Sequence, residues 1–110
     1  MPINVLIADD HPVVRLGLTA MLHGREGIVV EGNVKDIDSL LLQLQAGLPD
    51  VLVLDLDLEP GSDDGMLALR TIRSESPRLR IVLYTAHDDE SLIVDALALG
   101  VEGYIPVSYT

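Results

Sequence analysis

Asn4-Val-Leu-Ile-Ala8 is a short, nearly all-apolar run, Asp9-Asp10-His11-Pro12 follows it, and Val13, Val14, Leu16, Leu18, Met21 and Leu22 then recur at helical spacing. The order reads as strand, loop, helix. Pro12 suits a first helical position, where its missing N–H costs nothing, and Asp10 or His11 just ahead would sit at the cap. The same alternation continues along the chain. Ile28-Val-Val30 reads as a second strand, and Asp36 to Ala46 as a second helix carrying Ile37, Leu40, Leu41 and Leu44 on one side and stopped by Gly47. Asp50-Val-Leu-Val-Leu54 is a third strand whose apolar run argues for cover on both faces. Met66, Leu67, Leu69 and Ile72 mark a third helix, Ile81-Val-Leu-Tyr84 a fourth strand, and Leu92, Ile93, Ala96, Leu97 and Leu99 a fourth helix ended by Gly100. Gly103-Tyr-Ile105 is a short fifth strand.

Strict alternation of buried strands with helices predicts an α/β chain, a parallel sheet with helices on both faces. Ligands of such sheets bind beyond the carboxyl ends of the strands, where strand order reverses. That rule selects Asp9 and Asp10 after the first strand, Asp55 and Asp57 after the third, Thr85 after the fourth and Ile105 to Ser108 after the fifth. Asp9, Asp10 and Asp55 stand at the ends of two strands that neighbour one another in this fold type. Like charges at close range cost energy unless a cation joins them or one takes up a proton. A hard ion with oxygen ligands, Mg²⁺ above all, is the economical solution. Acidic residues at strand ends also cap helices and solvate loops, yet packing gives no reason for Asp55 after a wholly apolar strand.

Composition narrows the function classes. The 110 residues include 7 Lys+Arg against 18 Asp+Glu, a formal net charge of −11. Such a chain repels phosphate backbones and anionic lipid, so any DNA contact is expected from another domain. With no Cys there is no disulfide framework and no thiolate metal site, and a reduced, cytoplasmic setting is expected. The apolar runs are far shorter than the roughly 20 residues that span a bilayer, so no membrane partner is expected. Hydrophobic residues make up 48% and aromatics only 3%, all Tyr, so aliphatic side chains must fill the core of what reads as one domain, 1–110.

At this point the chain resembles a known family. Ile7-Ala-Asp-Asp-His-Pro-Val-Val-Arg-Leu-Gly-Leu18, Pro49-Asp-Val-Leu-Val-Leu-Asp-Leu56, Pro60-Gly61, Thr85-Ala86 and Ala98-Leu-Gly-Val-Glu-Gly-Tyr104 are similar to the receiver domain of two-component response regulators. The opening block resembles the NarL/LuxR-type transcription regulators in particular. The resemblance implies a flavodoxin-like, doubly wound five-stranded parallel sheet of strand order 2-1-3-4-5. It implies that Asp55 accepts a phosphoryl group from a histidine kinase and that Asp9, Asp10, Asp55 and the backbone carbonyl of Asp57 hold Mg²⁺. By the same resemblance the Thr85 hydroxyl hydrogen-bonds the phosphoryl group and Tyr104 reports the switched state. Residue chemistry agrees, since a carboxylate is a competent covalent acceptor and Mg²⁺ offsets the arriving charge. The family is a signalling module that assists its own phosphoryl transfer, not a turnover enzyme.

Two departures stand out. The family places a Lys about two residues beyond the Tyr of the fifth strand; that position falls on Val107, and the only Lys of the chain is Lys35. A hydrogen bond to a charged group is worth about 1.5–3 kcal/mol, so its loss should weaken phosphoryl binding or its coupling to conformational change. The second departure is a missing fifth helix: the chain stops at Thr110, shortly after the fifth strand. Apolar surface is then expected to stay exposed, which points to a homo-oligomer, a swapped dimer or a DNA-binding output domain beyond this segment.

The remaining signals have plainer readings. His11 before Pro12 is read as a helix-start residue in preference to a direct chemical role. His87 reads as loop, and His11, His23 and His87 lack the short mutual spacing of a zinc site. Arg70, Arg73, Arg78 and Arg80 favour the dipole at the end of the third helix and solvate a turn. The alternative function is a pseudo-receiver, an interaction module whose switching Val107 impairs. A third reading, a haloacid-dehalogenase-type phosphatase built on Asp55-Leu-Asp57, fails on Glu59 and on the absence of a downstream Lys.

Overall fold

In the computed structural model, residues 2–9, 11–56, 64–85 and 90–106 are described. They form β1 (Ile3–Ala8), α1 (Pro12–His23), β2 (Ile28–Val34), α2 (Ile37–Ala46), β3 (Val51–Asp55), α3 (Asp64–Glu75), β4 (Arg80–Thr85), α4 (Glu90–Ala98) and β5 (Gly103–Pro106). The five strands are parallel in the order β2-β1-β3-β4-β5, the doubly wound, flavodoxin-like arrangement expected of the alternation. Among the described residues there are four helices, and none is long and apolar enough to cross a membrane.

Right-handed crossovers decide which face each helix covers. The chain moves one way along the sheet from β1 to β2 and the other way through β3, β4 and β5, so α1 lies on one face and α2, α3 and α4 on the other. Burial follows that division. Leu6, Ala8, Leu52, Leu54, Ile81 and Leu83 alternate onto one face and join Leu40 of α2, Met66, Leu69 and Ile72 of α3 and Ala96 of α4 in a single core. On the opposite face Val5 and Ile7 of β1 are buried, whereas Val51, Val53 and Val82 are only half-buried. Full cover of the third strand on both faces, expected from its apolar run, is therefore met on one face and only partly on the other. The reason is that α1 packs chiefly against β1 and β2. The expected exposed apolar surface is present: Val13 of α1 is 82% exposed, with Leu16 and Met21 close behind.

Element ends have local causes. Asp36 is the N-cap of α2, its side chain accepting from the Ser39 backbone N–H at 2.7 Å. Gly100 ends α4 in the left-handed region at φ 77°, a conformation that costs a β-carbon-bearing residue energy. β2 runs four residues past the apolar triplet, through Glu31-Gly-Asn-Val34, because it is an edge strand bonded only to β1 and its residues alternate between half-buried and exposed. Gly65 at the start of α3 lies so close to the Leu56 carbonyl that a β-carbon there would collide with it. The helix is thereby seated directly against the end of β3.

The four arginines do not share one role. Arg70 in the middle of α3, Arg78 in the turn after it and Arg80 at the start of β4 are all exposed, so Arg78 is the one of the three that solvates a turn. Arg73 is instead a clamp at the end of the molecule opposite the acidic residues. Its Nε donates to Leu99 O at 2.8 Å, Nη1 to Leu79 O at 2.7 Å and Pro77 O at 3.0 Å, and Nη2 to Gly100 O at 3.0 Å. One planar fork thus ties the end of α3 to the entrance of β4 and the exit of α4.

Candidate functional site

Strand order reverses at β1, so the crevice opens between the carboxyl ends of β1 and β3. The register pairs Ala8 with Leu54. The next residue on each strand is an aspartate, Asp9 on one and Asp55 on the other, and both are fully buried. Backbone contacts fix the first of them: Asp9 N donates to Val34 O at 2.9 Å, and Arg15 Nη1 donates to Asp9 O at 3.2 Å.

His11 completes the group. Its backbone N–H donates to Asp9 Oδ1 at 2.9 Å, the turn an aspartate makes with the residue two places on. Its ring Nδ1 lies 3.0 Å from the same oxygen and 3.5 Å from Asp55 Oδ2. As expected, His11 starts α1, being the N-cap residue with extended backbone, but its side chain makes no capping bond. The imidazole turns into the carboxylates, so sequence reasoning that favoured the helix-start role captured the backbone and undervalued the ring. The signal for the ring was the spacing, two residues after Asp9.

Two buried carboxylates side by side are costly without compensation. Asp9 Oδ2 is buried and has no hydrogen-bond partner among the described residues. Asp9, His11 and Asp55 each offer one ligand atom, and these atoms lie within 4.8 Å of one another. Carboxylate oxygens converging on a common point suit a small divalent cation, and the lone buried oxygen of Asp9 is an acceptor such an ion would satisfy.

Other residues expected in the site are placed as follows. Thr85 is the last residue of β4 and pairs with Pro106, one step beyond the Asp55–Tyr84 pair; its side chain lies outside what is described. Tyr104 sits on β5 opposite Leu83 and packs half-buried against the core. Asp10, Asp57 and Val107 lie outside the described residues, as do Pro60, Gly61 and His87.

Comparison with known proteins bears on this geometry. A family model described as the response regulator receiver domain matches residues 5–107. The oxygen regulatory protein NreC of Staphylococcus haemolyticus is 34% identical over 102 residues, 93% of this chain and 46% of that protein. The chain thus spans about half the length of the curated relatives it matches. Among solved structures, the signal receiver domain of the response regulator NarL from Mycobacterium tuberculosis superposes with a TM-score of 0.84 at 32% identity, covering 99% of this chain and 86% of that one. RcsB from Salmonella enterica serovar Typhimurium, bound to promoter DNA in the presence of a phosphomimetic, gives 0.86 at 32% identity over 96% of this chain and 52% of that one. With the reversal of strand order at β1, the buried Asp9 and Asp55 at its mouth and a family match over nearly the whole length, the chain belongs to the response regulator receiver domains, and its relatives are of the NarL/LuxR type.

Proposed function

We propose that Asp55 accepts a phosphoryl group from a histidine kinase and that the modified domain controls a transcription-regulating output domain of the whole protein. The observation that carries this is a fully buried carboxylate at the end of β3, held beside Asp9 and the His11 ring at the reversal of strand order. In the transfer, the P–N bond of a kinase phosphohistidine breaks with its electron pair left on the imidazole, and an O–P bond forms to the Asp55 carboxylate. Asp9, Asp10, Asp55 and the Asp57 carbonyl are the proposed holders of Mg²⁺, which when bound offsets the negative charge gathering at the acceptor. Asp9 fixes one side of the crevice through its backbone bonds to Val34 and Arg15. Thr85, on the strand beside β3, is the proposed hydrogen-bond donor to the phosphoryl group, and Tyr104 the residue that follows the switch.

The exposed apolar residues Val94 and Leu97 of α4 and Ile105 of β5 are the proposed contact surface for a second copy. DNA contact belongs to the output domain, because a charge of −11 disfavours a polyanion here.

Intact mass after incubation with a small phosphodonor tests the reading. One phosphoryl adduct is expected with Mg²⁺, none with chelator, and none on Asp55→Ala. Absence of an adduct under conditions that label an ordinary receiver removes the acceptor role and leaves the pseudo-receiver, which Val107 at the family's Lys position favours. An adduct without any change in oligomeric state also selects that second reading, with chemistry retained and switching lost.

A further inference from the structure

The His11 ring is not used by the mechanism above, yet it faces both buried carboxylates. Its Nδ1 is 3.0 Å from Asp9 Oδ1 and 3.5 Å from Asp55 Oδ2. With its proton on Nδ1 the ring donates a hydrogen bond to Asp9; with the proton displaced, Nδ1 and the two carboxylates present three electron-pair donors that a metal ion can join. Two donors at right angles around an ion about 2.1 Å from each lie about 3.0 Å apart. The Nδ1–Asp9 separation has that value, so the carboxylate and the ring need little movement to share an ion. Two further observations agree. The backbone N–H of His11 holds Asp9 Oδ1 in place, and Asp9 Oδ2 is buried without a hydrogen-bond partner among the described residues.

We propose that His11 Nδ1 is a direct ligand of the divalent cation held by Asp9 and Asp55, making a mixed nitrogen and oxygen site that prefers a first-row transition ion such as Mn²⁺ over Mg²⁺. The proposal rests on the cation-binding reading above and adds its ligand and its selectivity. Imidazole is a softer donor than a carboxylate or water, and affinity for a nitrogen-containing site rises along the first-row ions, whereas Mg²⁺ binds nearly all-oxygen sets. The His11 side chain is 39% exposed, so a ring that carries an ion remains open to an incoming phosphoryl donor.

Pulsed electron paramagnetic resonance of Mn²⁺ bound to the intact chain decides the matter without reference to phosphorylation. Nitrogen modulation from a coordinated imidazole is expected, changing to the ¹⁵N pattern when the protein is made with ¹⁵N-histidine, and persisting in His23→Ala and His87→Ala. In His11→Ala it disappears, and Mn²⁺ affinity falls about tenfold or more, in line with the effect of losing support at a metal site, while Mg²⁺ affinity by competition changes less than about twofold. The labelling is read on the unaltered sequence, so poor folding of a variant cannot hide the answer. Bound Mn²⁺ with no nitrogen modulation, or an equal loss of both ions in His11→Ala, overturns the His11 role and leaves the acidic site standing. Failure of the unaltered chain to bind either ion overturns the cation reading itself, and this proposal with it.

Discussion

At the residue scale, buried charge and helix capping are set by single side chains with identifiable partners. Asp36 caps α2, and the Ser39 backbone N–H that it accepts holds its carboxyl below the ordinary value near 3.8, with the Ser39 hydroxyl and Lys35 acting in the same direction. A depressed folded-state pKa means that the cap stabilises fully above the ordinary carboxylate range and loses its effect as pH falls below it. Thermal unfolding measured between neutral and strongly acid pH should therefore show a component of acid destabilisation that Asp36→Asn removes, since an amide caps without titrating. Asp36→Ala should lower the melting temperature at neutral pH, and equal pH profiles for all three chains would contradict the assignment. His11 illustrates a different lesson. Its backbone role follows from standing before Pro12, but what its ring touches depends on where β3 delivers Asp55, a residue 44 positions away in the chain.

At the scale of elements, the Arg73 fork replaces several weaker contacts. The carbonyls of Pro77, Leu79, Leu99 and Gly100, on two segments, accept from one guanidinium whose side chain is 15% exposed, and Glu102, which accepts from Ile81 N, stands 3.7 Å from it. Arg73→Ala leaves carbonyls at the ends of α3 and α4 without a donor, a loss of about 2 kcal/mol when the charged hydrogen bonds are discounted for partial exposure. Arg73→Lys recovers less than half of that, because one ammonium cannot reach the same set of acceptors. Chemical denaturation of the two variants checks this, and a loss below about 0.5 kcal/mol for Arg73→Ala, the range of an ordinary surface change, would show the clamp to be idle. The arginines looked alike in sequence as charges near a helix end; among them Arg73 lies where two chain segments expose carbonyls together.

For the whole molecule, the unequal cover of the two sheet faces is the dominant feature. The face under α2, α3 and α4 holds the core, and on the other face α1 leaves Val51, Val53 and Val82 half-buried while its own Val13, Leu16 and Met21 point to solvent. Substitutions on the two sides should therefore differ in kind. Leu40→Ala, at a fully buried site, should cost about 2–5 kcal/mol. Val13→Ser, Leu16→Ser and Met21→Ser should each change stability by no more than about 0.5 kcal/mol in chemical denaturation. Large stability losses from the α1 set would mean that this surface is packed within one chain.

The sequence by itself determined the order and type of every element described, because helical and strand periodicities are local and each element end carries its own signal, as Asp36 and Gly100 do. It also determined the position of Asp9 and Asp55 at strand ends, since polar residues after apolar runs are visible without a fold. Tertiary structure alone decided that these two aspartates are adjacent and buried, that the His11 ring completes their group, that Arg73 is a clamp and that β3 is fully covered on one face only. Each of those depends on strand order and crossover hand, which bring residues tens of positions apart into contact, and a one-dimensional pattern carries no distance between them.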